Sequence, residues 1–317
     1  MASGRIDVHN HIIPKQYLAG LERAGITTTG GIAYPEWSPQ IAMETMDRVG
    51  TRAAITSVSS PGVVFADAKV ARELARELNE VSAGLISDHP DRFGAFGHIP
   101  LPDVDSALLE LEYLSDSLHL DGVILLASIG ERYLGDSAFE PVYAELNRRK
   151  TVVFVHPTIH PSTKAVPVDL PEFLLEFAFD TTRAIANLVF SGTLERYPDI
   201  RFIFAHGGGT APYLAWRMSI AREIDPAMGE RIPEDPEVYL KRLYYDTALS
   251  PSPQAMSAMT QLLDPSQILF GSDWPMAPEK VTERSIASLA GLDMVDAATL
   301  NQIETTNAYA LFPRFAK

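Results

Sequence analysis

The stretch Arg5-Ile6-Asp7-Val8-His9-Asn10-His11 is a short apolar-alternating run with two histidines at its end. Residues i and i+2 of a β-strand point to the same face, so His9 and His11 project side by side from the carboxyl end of a predicted strand. Two imidazoles that converge at neutral pH make half of a metal site. The alternative is a pair of unrelated polar residues on an N-terminal strand, and the rest of the chain decides between the two.

The length and composition bound the number of domains. The chain has 317 residues, of which 46% are hydrophobic, which is enough for a large buried core. Its length would allow about two domains of roughly 150 residues, but a parallel α/β barrel uses about 250 residues or more as one domain. We therefore predict a single domain over residues 1–317.

The acidic balance and the lack of cysteine exclude several partners and chemistries. A formal net charge of −15 argues against nucleic acid and anionic membrane as partners. Without cysteine there are no disulfides, thiolate metal sites or cysteine nucleophiles, so any metal must be held by histidine and carboxylate. No basic region precedes an apolar stretch, and no apolar run is long enough to cross a bilayer. We expect a soluble, cytoplasmic protein.

Eight apolar or β-branched runs, each followed by a turn and a helical pattern, are predicted to be strands. Most are continuously apolar, as expected for parallel strands that are covered on both faces. Eight strands that alternate with helices indicate a closed (β/α)8 TIM barrel or a large open sheet, and the count favours the barrel. The predicted strands are Arg5–His11, Ala53–Ser60, Arg92–Pro100, Asp121–Ser128, Thr151–Pro157, Arg201–Gly208, Leu243–Leu249 and Gln267–Pro275.

The segments between these strands have helical patterns. The clearest is Ala66–Asp88, in which apolar residues recur every three or four positions and charged residues take the opposite side. Val104–Leu118, Glu140–Arg149 and the long segment Glu172–Tyr197 repeat this pattern. The loop after the first strand, Ile12–Pro39, is long for a barrel, and its aromatic residues favour a cover over the barrel mouth.

Five ionisable side chains stand at the carboxyl ends of four predicted strands. His156 ends the fifth strand, His206 the sixth and Asp273 the eighth, in addition to His9 and His11 on the first. In a TIM barrel these ends form one mouth, where active sites lie. A single histidine at such a position is more often a structural hydrogen-bond partner, but five residues at corresponding points indicate a shared metal site.

Four motifs together resemble the amidohydrolase superfamily, and more narrowly its aminocarboxymuconate-semialdehyde decarboxylase branch. The resemblance implies a (β/α)8 barrel with one divalent metal, usually zinc and in some members manganese. It implies that the metal is held by His9, His11, His156 and Asp273, and that His206 is a catalytic histidine close to the metal. The motifs are Ile6-Asp7-Val8-His9-Asn10-His11, Val155-His156-Pro157, Phe204-Ala205-His206-Gly207-Gly208-Gly209 and Gly271-Ser272-Asp273-Trp274-Pro275.

The fourth predicted strand supports a single metal ion. Binuclear amidohydrolases bridge two ions with a carboxylated lysine at the end of this strand, whereas Asp121–Ser128 contains no lysine. The nearest, Lys150, precedes the fifth strand and is predicted at the opposite end of the barrel. Three neutral histidines and one carboxylate leave a coordination position open for water or substrate, as a catalytic site needs.

The same residues suit more than one function. A metal ion can lower the pKa of bound water to about 7 and polarise a substrate oxygen, while His206 and Asp273 can transfer protons. The resemblance implies non-oxidative decarboxylation of a small aromatic, hydroxybenzoate-like carboxylic acid. One alternative is a metal-dependent hydrolase that acts on a lactone or amide, and another is an inactive barrel that serves as a binding subunit.

Arg217, Trp37 and His98 are candidates for substrate binding. The resemblance implies that Arg217, on the helix after the sixth strand, crosses a homodimer interface to hold the substrate carboxylate in the neighbouring subunit. The alternative is a surface arginine paired with an acid. The aminocarboxymuconate enzymes carry another carboxylate-binding arginine in the loop after the first strand, but residues 25–39 contain none. Tyr34 and Trp37 in this loop suit an apolar or aromatic ring. The stretch Pro35-Glu36-Trp37-Ser38-Pro39, and Ser59-Ser60-Pro61-Gly62-Val63 after the second strand, resemble the 6-methylsalicylate-decarboxylase-like members.

Two strand-end residues have more than one interpretation. Asp246 ends the seventh strand, where a buried carboxylate would orient His206 or another ligand as a hydrogen-bond partner. His98 ends the third strand and either reaches the mouth or bonds to backbone as a loop histidine.

Overall fold

The computed structural model describes residues 4–316. Within that range, eight parallel strands form one sheet in which their order in space follows their order in the sequence. The strands are β1 (Arg5–His11), β2 (Thr51–Ser57), β3 (Phe93–His98), β4 (Gly122–Leu126), β5 (Val152–His156), β6 (Arg201–Phe204), β7 (Tyr244–Asp246) and β8 (Ile268–Leu269).

The first and last strands close this sheet into a barrel. The backbone N–H of Val8 donates to the carbonyl of Phe270 at 2.9 Å, and the N–H of Asp273 donates to the carbonyl of His9 at 2.8 Å. A parallel β-bridge between Asn10 and Trp274 lies next to these bonds. Because the sheet has no free edge between β1 and β8, the predicted (β/α)8 barrel is confirmed.

Helices connect the strands on the outside of the barrel. Among residues 4–316, none of them combines the length and the apolar character needed to cross a bilayer. The helices are α1 (Lys15–Arg23), α2 (Pro39–Val49), α3 (Ala68–Asp88), α4 (Val104–Asp116), α5 (Glu140–Arg149), α6 (Glu176–Phe190), α7 (Thr193–Arg196), α8 (Ala211–Ser219), α9 (Ala221–Ile224), α10 (Pro236–Leu240), α11 (Pro253–Leu262), α12 (Glu279–Ala290), α13 (Ala297–Asn301) and α14 (Asn307–Leu311).

The predicted long helix Glu172–Tyr197 is interrupted, so this prediction was wrong in extent. A short 3₁₀ turn, Glu172–Leu174, precedes α6, and Gly192 separates α6 from α7. Gly192 has a φ of +75°, a left-handed conformation that ends a right-handed helix.

Strands β6 and β8 end earlier than predicted, and the chemically important residues that follow them leave the extended conformation. His206 has a φ of +56° and Asp273 a φ of +62°. For residues other than glycine, this left-handed region costs about 1–2 kcal/mol and persists only where the surroundings hold it. Both residues are therefore placed by the structure around them rather than by the strands that precede them.

The barrel interior is filled beneath the mouth. The rings of Phe96 and Phe154 stack with centroids 5.2 Å apart, and Ile203 packs in the same buried cluster. Phe312 and Phe315, which follow α14, belong to this cluster as well. The interior is thus a packed core, and space for a ligand remains at the carboxyl ends of the strands.

Candidate metal centre

Two histidines of β1 each direct one ring nitrogen at an acceptor. His9 Nδ1 lies 2.7 Å from Asp246 Oδ2. His11 Nδ1 lies 3.1 Å from Ser57 Oγ and 3.3 Å from the Ser57 carbonyl. A neutral imidazole that donates from Nδ1 keeps a lone pair on Nε2. These contacts therefore leave the Nε2 atoms of both rings as free acceptors.

The free Nε2 atoms converge on the Asp273 carboxylate. His9 Nε2 and His11 Nε2 lie 3.1 Å apart, and they lie 3.3 and 3.1 Å from Asp273 Oδ1. His156 Nδ1 faces the carbonyl of Pro157 at 2.7 Å, and its Nε2 is buried with no hydrogen-bond partner among the described residues. Lone pairs and a carboxylate repel one another at such distances unless a proton or a metal cation lies between them.

The charges around these rings favour a positive ion. Burial alone would lower the pKa of His9, but the carboxylates of Asp246 and Asp273 outweigh burial and raise this pKa to about 10. They thus stabilise a positive charge at Nε2, which a metal ion would supply in place of the proton. Burial lowers the pKa of His11 and of His156, so both rings are neutral, as metal ligands must be. Burial would raise the pKa of Asp273, but the histidines hold it well below its usual range. The donor set therefore fits a divalent cation held by histidine and carboxylate.

His206 joins the same cluster from the side that faces solvent. Its Nε2 lies 3.5 Å from Asp273 Oδ2, the oxygen that His9 and His11 do not approach. His206 is 9% exposed, whereas His9 and His11 are 0% exposed. Ligand atoms of His9, His156, His206 and Asp273 all lie within 4.8 Å of one another. The structure thus brings together the five residues that stand at the predicted strand ends.

Asp246 links two of these histidines. Its Oδ2 faces the His9 ring, and its Oδ1 accepts the backbone N–H groups of His206 and Ala248, each at 2.9 Å. The Asp246 side chain is fully buried. A carboxylate on the far nitrogen of a metal-binding histidine fixes the ring and its tautomer. In this structure the oriented ring is that of His9, and His206 is held through its backbone.

Asp7 holds the segment that carries Asp273. The Asp7 carboxylate accepts the backbone N–H of His9 (3.1 Å), the backbone N–H of Ser272 (3.0 Å) and the Ser272 hydroxyl (2.6 Å). Ser272 Oγ in turn accepts the N–H of Trp274 at 3.0 Å. Asp273 is therefore braced on both sides in its left-handed conformation. Sequence reasoning missed this brace, because a polar residue on a strand does not reveal a partner 265 positions away.

A cavity of about 390 Å³ opens over His156, His206 and Asp273. Its other walls are mostly apolar, and the described residues that line it include no lysine or arginine. Sequence reasoning did not find these wall residues, because they come from loops and helices that the fold brings together. They are Thr29, Ile32, Ser59, Phe173, Leu174, Phe177, Ala178, Gly209, Leu249, Ser250, Met276, Ala277, Pro278 and Val281.

The three predicted substrate-binding residues do not line this cavity. His98 is buried, its Nε2 accepts the backbone N–H of Val58 at 3.2 Å, and burial lowers its pKa to about 3. Trp37 is half-buried against the apolar cluster that contains Tyr17. Arg217 is exposed on α8. Of the two interpretations of His98, backbone bonding is the one that the structure shows.

Comparison with known proteins identifies the family to which the chain is similar. Residues 6–314 match the model of the family described as amidohydrolase. The chain is similar to a 6-methylsalicylic acid decarboxylase from Penicillium expansum, with 34% identity over 98% of this chain and 96% of the relative.

Two solved structures share the fold. A crystal structure of an amidohydrolase II has a TM-score of 0.91 and 28% identity, and the match covers 98% of this chain and 99% of that one. A dihydroxybenzoic acid decarboxylase from Polaromonas sp. JS666, solved with manganese and the inhibitor 2-nitroresorcinol, has a TM-score of 0.83 and 22% identity over 98% of this chain and 97% of its own. The resemblance predicted from the motifs is confirmed, and the chain belongs to the amidohydrolase family.

Proposed function

We propose that the protein is a metal-dependent, non-oxidative decarboxylase of a small hydroxybenzoate-like acid, working as one barrel domain. Asp273 carries this proposal, because its Oδ1 lies 3.3 and 3.1 Å from the Nε2 atoms of His9 and His11 while its Oδ2 lies 3.5 Å from His206. One carboxylate thus joins the proposed metal ligands to the proposed proton-transfer group. The proposed ligands are His9, His11, His156 and Asp273, and the proposed catalytic residues are His206 and Asp273.

A divalent ion bound here would supply a Lewis acid for the carboxylate and hydroxyl oxygens of the acid. The residues of the chain hold and move the proton. The ring carbon that bears the carboxylate takes up a proton, the bond between this carbon and the carboxylate then breaks, CO2 leaves, and the electron pair of the broken bond restores the aromatic ring. His206 borders the cavity beside Asp273 Oδ2, so this pair can place a proton at that carbon. The apolar walls exclude water and seat the aromatic ring.

We propose zinc as the ion, with manganese as the alternative. Neutral imidazoles with one carboxylate suit Zn²⁺, whereas the Polaromonas relative binds manganese. Metal analysis of the purified protein identifies the ion that copurifies with it. Chelation followed by reloading with each ion, at equal occupancy, compares turnover. Higher turnover with manganese would reject zinc.

Product analysis distinguishes a decarboxylase from the two alternatives, a hydrolase and an inactive barrel. Metal-loaded protein is incubated with a panel of hydroxybenzoates and, separately, with aromatic lactones and amides, and the chelated protein is the control. We expect CO2 release from at least one hydroxybenzoate and none after chelation. Turnover of lactones or amides without CO2 release would favour the hydrolase. A protein that contains no divalent ion and rebinds none would favour the inactive barrel.

We further propose a homodimer in which Arg217 serves the cavity of a second copy. On α8, Tyr213 is 80% exposed and Trp216 is 73% exposed, and both are close to Arg217 in sequence. Large exposed aromatic residues next to arginine are typical of protein interfaces. Light scattering measures the oligomeric state, and we expect Trp216→Glu to yield a monomer with a raised KM. A monomeric wild type would reject the dimer. A cytoplasmic location stays a prediction.

A further inference from the structure

The predicted loop after β1 contains helix α1, and the segment between α1 and α2 forms a small hairpin beside the cavity. Thr28–Thr29 pairs with Ile32–Ala33, and the tip consists of Gly30 and Gly31, with φ values of +53° and +84°. The carbonyl of Gly30 accepts the backbone N–H of Phe173 at 3.1 Å. The hairpin tip is therefore fastened to the 3₁₀ turn before α6.

Close packing at the tip leaves no room for a side chain. A Cβ atom on Gly30 would lie 2.9 Å from Phe177 Cζ and 3.1 Å from Phe173 Cβ. Gly30 thus packs directly against the Phe177 ring, and a side chain at this position would displace it. Glycine suits this position for two reasons: it adopts a left-handed φ without strain, and it has no Cβ to collide with the Phe177 ring.

The Phe177 ring also neighbours the proposed proton-transfer residue His206 and the proposed metal ligand His156. The Phe177 ring is stacked on that of His206, with centroids 6.4 Å apart and 20° between the planes. It meets His156 edge-on, with centroids 5.8 Å apart and an interplanar angle of 77°. Thr29 and Ile32 of the hairpin line the same cavity as Phe173 and Phe177. One contact chain therefore runs from the hairpin tip through Phe177 to His206.

We propose that Gly30 and Phe177 act together as specificity-determining and positioning residues for the aromatic acid. Gly30 holds the Phe177 ring in place. The ring in turn limits the orientations of His206 and offers a flat apolar wall to the substrate ring. The proposal rests on the proposed function for its substrate class, an aromatic monocarboxylic acid, but not on the occurrence of decarboxylation.

Two glycines of the same loop provide a matched experiment. Gly25 also has a left-handed φ, of +71°, but a Cβ there would meet nothing within 4 Å. Gly30→Ala and Gly25→Ala therefore introduce similar backbone strain, and only Gly30→Ala displaces Phe173 and Phe177. We expect Gly30→Ala to raise KM and lower kcat/KM by about tenfold or more, with unchanged metal content. Gly25→Ala is expected to stay within about twofold of the wild type.

A double mutant tests the contact chain. Phe177→Leu removes the ring that Gly30→Ala would strike, so we expect the double variant to lose little more kcat/KM than Phe177→Leu alone. Additive losses would contradict the coupling between Gly30 and Phe177. Equal losses in Gly30→Ala and Gly25→Ala would overturn the proposal, because backbone strain alone would explain them.

Salicylate binding separates this proposal from the proposed function. Calorimetry on the metal-loaded protein measures salicylate affinity without any turnover. We expect Gly30→Ala to weaken this affinity by about tenfold and Gly25→Ala to leave it unchanged. The inference then stands even if no acid in the panel releases CO2. Equal affinity in the wild type and Gly30→Ala, or no salicylate binding by the wild type, would overturn it.

Discussion

Asp246 Oδ2 lies 2.7 Å from His9 Nδ1, and the other oxygen of the same carboxylate accepts the backbone N–H of His206 at 2.9 Å. One buried side chain therefore orients a proposed metal ligand and holds the proposed proton-transfer residue in place. Because the two contacts use different oxygens, substitutions can separate them.

We expect Asp246→Asn to weaken metal binding by about 10- to 100-fold, because His9 loses the charged partner that fixes its tautomer. The asparagine oxygen can still accept the His206 N–H, so turnover at saturating metal should fall less than in Asp246→Ala, which loses both contacts. Competition with a chelator measures the affinity, and CO2 release measures turnover. Exposed Glu44→Gln is the control. Equal metal affinity in the wild type and Asp246→Asn would contradict the assigned role.

The two oxygens of the Asp273 carboxylate face different residues, so we expect substitutions of His206 and of Asp273 to differ in their effect on metal binding. We expect His206→Ala to abolish turnover and keep the metal, because His206 lies near Oδ2 rather than near the oxygen that faces His9 and His11. Asp273→Ala should lose both metal and turnover. Metal content after gel filtration, measured together with CO2 release, checks both variants. Loss of metal from His206→Ala would make His206 a ligand.

The barrel and the clustering of the candidate site residues could be predicted because their signals are local. Continuous apolar runs identify buried parallel strands, and His9, His11, His156, His206 and Asp273 are chemically specific residues that end such runs. The true ends of β6 and β8 could not be predicted. Beyond these ends, tertiary contacts hold His206 and Asp273 in left-handed backbone conformations that residue type does not reveal.

The surroundings of the candidate site residues depend on contacts between distant segments. Asp7 and Ser272 meet across 265 positions, and Gly30 meets Phe177 only after the first loop folds over α6. His98 shows the opposite problem. It ends a strand as a catalytic histidine would, but its ring nitrogen is taken by a backbone N–H from the neighbouring segment. Residue type and strand position cannot distinguish these two situations.

The hydrogen bonds between Asp7 and Ser272 support both the fold and the position of Asp273. We therefore expect their loss to lower both the free energy of unfolding and the metal affinity. Ser272→Ala removes the hydroxyl that donates to Asp7 and accepts from Trp274. Leaving these buried groups unsatisfied should lower the free energy of unfolding by about 1–3 kcal/mol. Metal affinity should also fall, since Asp273 loses support for its left-handed backbone. Urea unfolding and chelator competition measure the two effects.

Ser266→Ala is the control for this pair of contacts, because Ser266 is exposed and its hydrogen bonds go to a surface aspartate, Asp264. We expect that variant to stay within about 0.5 kcal/mol of the wild type. A loss of stability in Ser272→Ala without any loss of metal affinity would show that the brace supports the fold but does not position Asp273.

The burial of His98 predicts how the free energy of unfolding depends on pH. Burial lowers its pKa to about 3, and repulsion from His11 acts in the same direction. In an unfolded chain the pKa of histidine is about 6.5. Between these two values the unfolded state binds a proton that the folded state does not. The contribution of His98 to stability is therefore complete above about pH 6.5 and is lost as the pH falls toward 3, by about 1.4 kcal/mol per pH unit.

We expect His98→Gln to remove this part of the pH dependence, because glutamine does not titrate and its side-chain oxygen can accept the N–H of Val58 in place of the ring nitrogen. The free energy of unfolding should then fall less steeply in the variant than in the wild type between about pH 6 and pH 4. Urea unfolding of the chelated proteins measures both slopes, and chelation removes metal release from the comparison. Parallel curves would mean that folded His98 takes up a proton as readily as the unfolded chain does. That result would contradict the lowered pKa inferred from its burial and its bond to Val58.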